Sequence, residues 1–327
     1  MVVVWRVTQR CNLGCPFCGY DRRLPWTRRD ADPTQILAFG AVLADFQRVT
    51  GRRVLVSWIG GEPLLWRPLT ALTVSFVREF GLRVSATTNG TTLGSPGARA
   101  HVLEHYAELT VSVDAVGPLH DELRGWSGGF TRLRRCLEAL AADRVRVGAG
   151  PLLRVNVVLM RDTVTDFPAL CRELARWGVE EITFNQLGGN DRPEFYPAHR
   201  LTLPQVRWLA AEVPALRDEL RRCGVALRGG PRYLERIEHS AAGRALPIAD
   251  CHPGDEFLFV SENGIVAPCS FTLDGYGVPL GDVRSTSELA TLAQRFRALR
   301  DRRRLAVCDD CPSTQVFAKF GTDSDGS

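Results

Sequence analysis

Lysine is almost missing from this chain. Of its 41 lysine and arginine side chains, Lys319 is the single lysine and the other 40 are arginine. Chemistry that runs through a Schiff base would have to rest on that one residue, eight positions from the end of the sequence. Long apolar runs are missing too. None approaches the roughly 20 residues that a membrane span needs, so no membrane partner is expected. A secretory signal is also lacking, because Met1 runs through Val2, Val3, Val4 and Trp5 straight into Arg6. A cytoplasmic location follows as the expectation, in a compartment where disulfides are rare. A dense basic stripe is absent as well. The arginines are scattered, with Arg300, Arg302, Arg303 and Arg304 the one tight run. Nucleic acid is therefore not expected as a partner, and the net charge of +4 reflects arginine-rich codon usage.

What the chain does hold is ten cysteines in 327 residues. Without a route to an oxidising compartment, they call for metal binding, catalysis or burial. The rest of the composition, 45% hydrophobic and 24% charged, is that of a globular protein long enough to bury a large core.

Strand-like and helix-like segments alternate through the first 190 residues. β-Branched runs at 2–8, 54–58, 83–88, 109–113, 152–159 and 181–185 read as strands. Amphipathic patterns at 33–50, 69–80, 98–106, 130–142 and 167–177 read as the helices between them. Six such units imply a parallel sheet with right-handed crossovers. They are too few for a closed eight-stranded barrel, so the expected class is α/β, a partial (β/α)6 TIM-like barrel over 1–190. A Gly- and Pro-rich linker and a bridging helix, with Pro214 as a candidate kink, are expected over 191–249. A small α+β unit over 250–320 follows, with Glu262-Asn263-Gly264 as its hairpin turn and a helix over 287–302. Residues 321–327 are expected to be a disordered tail.

Folds of this class place their chemistry at the C-terminal ends of the strands. The loop after the first strand reads Cys11-Asn-Leu-Gly-Cys15-Pro-Phe17-Cys18. Three thiolates in one short loop can hold three irons of a 4Fe–4S cluster, leaving the fourth iron for an exchangeable ligand. Zinc is the alternative, but its structural sites need four ligands, and no His or further Cys occurs between Gly19 and Ala100.

This C-x3-C-x-aromatic-C loop, in this position, resembles the radical S-adenosylmethionine (radical SAM) superfamily. Further segments at the matching strand ends are similar to that family's motifs. Gly60-Gly61-Glu62-Pro63 follows the second strand, its glycines allowing close approach of a ligand and Glu62 able to accept from an ammonium. Thr87-Thr88-Asn89-Gly90 follows the third. Ser112-Val-Asp114, with His120-Asp121 and Arg124-Gly125 beyond, follows the fourth, and Asn156 lies in the fifth strand. Read alone, Asn89-Gly90 would be a turn, Asp114 a cap and Arg124 a surface residue. The resemblance makes Phe17, Gly60, Gly61, Glu62, Pro63, Thr88, Asn89, Ser112, Asp114, Arg124 and Asn156 candidates for binding S-adenosylmethionine. It implies that a reduced cluster cleaves that cofactor to a 5′-deoxyadenosyl radical, which takes hydrogen from an unactivated carbon. An electron donor such as flavodoxin or ferredoxin would supply the cluster.

Cys251 and Cys269, spaced C-x12-G-x4-C, precede Cys308-x2-Cys311. By spacing alone, four-cysteine zinc and an iron–sulfur cluster are both open. The pattern resembles the twitch domain, a shortened form of the SPASM auxiliary-cluster domain. That likeness implies one fully ligated auxiliary 4Fe–4S cluster serving electron transfer. The adjoining arginines could tune its potential, though a solvated helix end is the plainer reading.

Cys136, Cys171 and Cys223 remain, and all fit helix faces turned to a core. Cys223, in the bridge, is also a candidate hydrogen donor should the reaction be an epimerisation. The expected activity is oxidation of a small polar metabolite such as an aminocyclitol or sugar. The alternative is maturation of a ribosomally made peptide by crosslinking or epimerisation. Against that alternative, the radical motif begins at residue 11, leaving no room before it for a leader-recognition domain. A non-catalytic iron–sulfur or zinc protein is the reading from another class. Asn185, Gln186, Asn190, Tyr196 and His199 follow the sixth strand, where substrate contacts would lie.

Overall fold

The computed structural model describes residues 1–320, and the tail expected at 321–327 lies outside them. The apolar, β-branched runs form β1 (Val2–Thr8), β2 (Leu55–Gly60), β3 (Arg83–Thr88), β4 (Glu108–Ser112), β5 (Leu152–Leu159) and β6 (Glu181–Gln186). All pair in parallel with the next in sequence. Between them run α1 (Pro33–Thr50), α2 (Leu69–Val74), α3 (Pro96–His105), α4 (Pro118–Arg124), α5 (Gly129–Val147) and α6 (Phe167–Arg176). α1 shows why these segments start and stop where they do. Asp32 caps it by accepting from the Thr34 amide, Pro33 sits in its first turn, and Gly51 ends it at φ 68°. The segment expected as one helix over 69–80 is α2 followed by a π-helical turn at Ser75–Glu79.

β1 and β6 do not pair, so the sheet is the open partial barrel that six units predict. Alternation along β5 separates its two faces. Leu153, Val155, Val157 and Leu159 are buried beneath the helices. Arg154, Asn156 and Val158 point to the inner face, where Arg154 meets carboxylates from β4 and β6.

The region expected as linker and bridging helix forms α7 (Tyr196–His199), α8 (Leu203–Arg222), β7 (Ala226–Leu227) and α9 (Pro231–Ala241). α8 continues through Pro214 as one helix. β7 adds a short parallel strand beside β6. Beyond it come β8 (Phe257–Val260), β9 (Ile265–Ala267), α10 (Leu273–Tyr276), β10 (Val278–Pro279) and α11 (Thr286–Arg302). β8 and β9 form the expected hairpin, with Gly264 at φ 69° in its turn. The sequence pattern does not show that β8 also pairs in parallel with β1, from Val2↔Phe257 to Trp5↔Val260. The auxiliary hairpin thereby extends the barrel sheet to ten strands. No described helix is long and apolar enough to cross a membrane.

Candidate active site

The loop leaving β1 is built around its three cysteines. The Leu13 amide donates to Cys11 Sγ at 3.5 Å and the Tyr20 amide to Cys18 Sγ at 3.4 Å, while the Cys18 amide donates to the Cys15 carbonyl at 3.1 Å. Cys15 Sγ lies 3.9 Å from the Arg124 carbonyl. Burial raises all three thiols, Cys18 to about 12, so an empty loop holds them protonated and loading metal must release protons. Amides aimed at sulfur, with a guanidinium nearby, are the donor set that suits thiolates bound to iron. The residues fit a cluster held by Cys11, Cys15 and Cys18.

Gly60 and Gly61 pack directly against the backbone of this loop. Gly61 N–H donates to the Thr8 carbonyl at 2.8 Å and Glu62 N–H to the Arg10 carbonyl at 2.7 Å. A Cβ on Gly60 would stand 2.2 Å from the Thr8 carbonyl oxygen, and one on Gly61 2.2 Å from that of Arg10. The close approach expected toward a cofactor is thus made toward the backbone that carries the cysteines. Gly61→Ala should destabilise the protein by about 1–3 kcal/mol through this backbone overlap and lower the iron retained per chain. Gly281→Ala, whose Cβ meets open space, serves as the silent control. Urea unfolding and iron analysis of the two variants decide the point, and equal behaviour refutes it.

Glu62 is fully buried. It accepts from Thr88 Oγ1 (2.7 Å), the Asn89 amide (2.6 Å) and the Leu64 amide (3.1 Å). A carboxylate offers about four acceptor positions, so one is left for the ammonium proposed by the motif. Burial raises its pKa to about 7 against those three hydrogen bonds. Pro63 begins the short turn after it, with Glu62 as its cap. Asn89 reaches back to the cysteine loop, donating to Asn12 Oδ1 at 2.9 Å and to Cys11 Sγ at 3.8 Å. Asn12, which the sequence did not single out, also donates to Thr91 Oγ1 at 3.0 Å. Its one sequence signal was its place directly after Cys11.

Past β4, Asp114 is buried. It accepts from Arg124 Nε at 2.6 Å and from the Val158 amide at 2.9 Å. Its own amide donates to His120 Nδ1 at 3.2 Å. Burial, with Arg124 adding to it, holds His120 neutral, its pKa down to about 3. The Arg124 guanidinium lies 5.4 Å from the centre of the Phe17 ring. Arg124 is therefore neither a surface residue nor wholly free for a ligand: Nε is engaged by Asp114, and the guanidinium also interacts with the Cys15 thiol. Ser112 and Asn156 are register partners on β4 and β5. Asn156 Oδ1 accepts from Thr183 Oγ1 at 3.0 Å, Asn185 Nδ2 at 3.5 Å and Lys319 Nζ at 2.7 Å. Of the residues expected after β6, Asn185 joins this group. Asn190 is exposed, and His199 pairs with Asp162 at 2.9 Å and stacks on Phe195.

Cys251, Cys269, Cys308 and Cys311 influence one another electrostatically, and burial raises Cys311 to about 11. Thr272 Oγ1 lies 3.4 Å from Cys269 Sγ. Among the described residues no three such side chains converge on the point that a single ion would occupy. The four thiols lie within electrostatic reach of one another, as the ligands of one shared centre must.

The leftover cysteines divide. Cys171 is buried as expected, Cys136 is half-buried and Cys223 is exposed. The geometry corrects the reading of Cys223 as a hydrogen donor. It caps the C-terminus of α8, just before β7 begins beside Glu181 at the start of β6. It therefore lies at the N-terminal rim of the strands, whereas the cysteine loop and Gly60–Pro63 lie at the opposite rim.

A site of cysteines, glycines and buried charge gathered at the C-terminal ends of a partial barrel defines an iron–sulfur enzyme class. The chain matches the Radical SAM superfamily over residues 5–174 and belongs to it. Residues 251–312 match SPASM, an iron–sulfur cluster-binding domain. Its cofactors are accordingly S-adenosylmethionine and iron–sulfur clusters. It is 26% identical over 332 aligned positions to a PqqA peptide cyclase of Xanthomonas euvesicatoria pv. vesicatoria, covering 96% of this chain and 80% of that one. It is 27% identical over 186 positions to the Fe-coproporphyrin III synthase of Methanosarcina barkeri, covering 57% of this chain and 44% of that one. In structure it resembles Streptococcus suis SuiB bound to precursor peptide SuiA (TM-score 0.67, 17% identity, 97% of this chain and 70% of that one). It also resembles anSMEcpe with bound AdoMet (TM-score 0.66, 15% identity, 95% and 88%).

Proposed function

We propose that this enzyme matures a peptide, using the radical generated at the Cys11–Cys15–Cys18 cluster to form a crosslink or invert a stereocentre. The observation that carries this reading is the likeness to a PqqA peptide cyclase, which spans barrel and auxiliary domain together, 96% of the chain. It weighs against oxidation of a small polar metabolite, which rested on the short chain and the four-ligand pattern of the auxiliary cysteines. When bound, S-adenosylmethionine and the reduced cluster supply the hydrogen-abstracting radical. The protein's own part begins with holding the cysteine loop through Gly61, Glu62 and Asn89. In this reading the Arg124 guanidinium, beside the cysteine loop, would hold the cofactor's carboxylate, and the remaining acceptor position of Glu62 would take its ammonium. Asn156 and its neighbours form the polar inner wall on which cofactor and substrate would lie. The second cysteine set is assigned to electron transfer, and a flavodoxin or ferredoxin to reduction of the first cluster.

The test is anaerobic reconstitution followed by incubation with S-adenosylmethionine, a reductant and short peptides encoded beside the gene. We expect about eight irons per chain, 5′-deoxyadenosine, and a peptide that has lost two hydrogen atoms or gained solvent deuterium at one carbon. Turnover of cyclitols or sugars, with every peptide unchanged, would overturn the peptide reading and restore the small-molecule one.

A further inference from the structure

The single lysine of the chain sits inside the barrel. After Cys311 the chain turns back to the open side of the sheet. Phe317 is buried there, with the guanidinium carbons of Arg232 and Arg236 5.9 and 5.7 Å from the centre of its ring. Ala318, at φ 55°, redirects the backbone. Lys319 then enters the interior, only 8% exposed, and its Nζ donates to Asn156 Oδ1 at 2.7 Å.

The charges around it are already paired. On the inner face, Glu108 Oε1 faces Arg83 at 3.7 Å and its Oε2 faces Arg154 at 3.0 Å. Glu181 Oε1 accepts from Arg154 Nε, and its Oε2 accepts from Arg228 Nε at 2.7 Å. An arginine engages every carboxylate oxygen of that floor. Lys319 is left with a neutral amide oxygen that already accepts from Thr183 and Asn185. An ammonium carries three donors, and among the described residues one of them meets a hydrogen-bond acceptor. From α9 comes only a neutral group, the Tyr233 hydroxyl bonded to Asn185 Oδ1 at 3.0 Å. The ring of Phe320 covers the other side, 5.5 Å from Nζ. Burial and the charge of Arg154 push the amine down to about 7, against the pull of Glu181. A buried cation with no free carboxylate oxygen among the described residues is costly. It is relieved by losing its proton or by receiving an anion.

We propose that Lys319, beside Asn156 and Asn185, is the subsite that receives a carboxylate of the substrate, either an acidic side chain or the C-terminal carboxylate of a peptide. It is a substrate-binding residue delivered by the C-terminal segment, so the auxiliary half of the chain completes the binding site in the barrel. The inference deepens the peptide reading above and rests on Asn156, which stands in the middle of β5, between the floor of Glu108, Arg154 and Glu181 at the N-terminal ends of the strands and the rim that carries the cysteine loop. It also sets the sign of a pH effect. Binding takes up a proton when the free amine is neutral, so affinity falls as pH rises through about 7.

One lysine gives one side-chain resonance. Holoenzyme labelled with ¹³C at lysine Cε would be titrated with pH, alone and with three probes: N-acetylaspartate amide, N-acetylalanine and the neutral N-acetylasparagine amide. A midpoint near 7, raised by the carboxylate probes and untouched by the neutral one, supports the subsite. The stronger of the two carboxylate probes identifies the source. Lys319→Met should weaken carboxylate binding about tenfold or more. Lys319→Arg should restore it without the decline at alkaline pH, because a guanidinium stays charged. A midpoint near 10 that no probe shifts would overturn the proposal. So would an equal response to the neutral amide, or loss of S-adenosylmethionine affinity in Lys319→Met, which would move the amine to the cofactor's own site. A carboxylate response with every peptide left unmodified upholds the subsite and sinks only the peptide reading.

Discussion

Replacing Cys11, Cys15 and Cys18 together by alanine is expected to reduce 5′-deoxyadenosine formation to background and to lower iron from about eight to about four per reconstituted chain. The three thiols share one loop, and the described residues offer no substitute thiol or imidazole in it. No His or Cys occurs between Gly19 and Ala100, and the second cysteine set is carried by the segments flanking the β8–β9 hairpin and by the chain after α11. The loop is also shaped for thiolates rather than for packing, with the Leu13 and Tyr20 amides and the Asn89 side chain aimed at sulfur. Iron, zinc and 5′-deoxyadenosine would be measured on the same sample. Iron remaining in the triple variant locates the auxiliary cluster at Cys251, Cys269, Cys308 and Cys311. Zinc in its place would refute that assignment while leaving the first intact. Undiminished 5′-deoxyadenosine would refute the first.

The cysteine loop was legible because its ligands are neighbours in sequence, so spacing alone carries the chemistry. The six parallel strands were legible for a similar reason, since local alternation and β-branching dictate each one. What escaped depends on contacts between distant residues. Nothing near Val2 or Phe257 announces that they are register partners, and so the joining of the auxiliary hairpin to β1 was not foreseen. The glycines of Gly60-Gly61 were read as room for a ligand, yet the atom that excludes a side chain is a carbonyl of the preceding βα loop. Cys223 looked like a bridge residue until β7 showed which rim of the sheet it occupies. Lys319 lies 163 positions from Asn156. Its rarity was visible, but only the fold shows that it is buried against an amide, with no carboxylate oxygen left to it among the described residues.

The pair Asp114–Arg124 should carry the largest stability effect outside the clusters. Both side chains are buried, at 0% and 10% exposure, and the Nε–Oδ2 contact is 2.6 Å. Removing one member leaves an uncompensated charge in the interior, at a cost of about 3–5 kcal/mol. The two members are not equivalent. Asp114 also accepts from the Val158 amide, so Asp114→Leu orphans a buried N–H as well, adding about 1–3 kcal/mol. Asp114→Asn keeps that acceptor and should lie between Asp114→Leu and the wild type. Arg124→Met strands the carboxylate but leaves the Val158 bond in place. The double variant Asp114→Asn/Arg124→Met has no buried charge at this point, so it should be more stable than Arg124→Met alone. Urea midpoints of the anaerobically reconstituted variants test this order. A double variant as unstable as the sum of its parents would show that the two residues act independently. The cofactor then separates the second role of Arg124 from the first. The double variant recovers folding but lacks the terminal guanidinium nitrogens, so it should still fail to retain S-adenosylmethionine in equilibrium dialysis. Stability restored without cofactor affinity assigns Arg124 to both tasks, whereas the two recovering together would confine it to the ion pair.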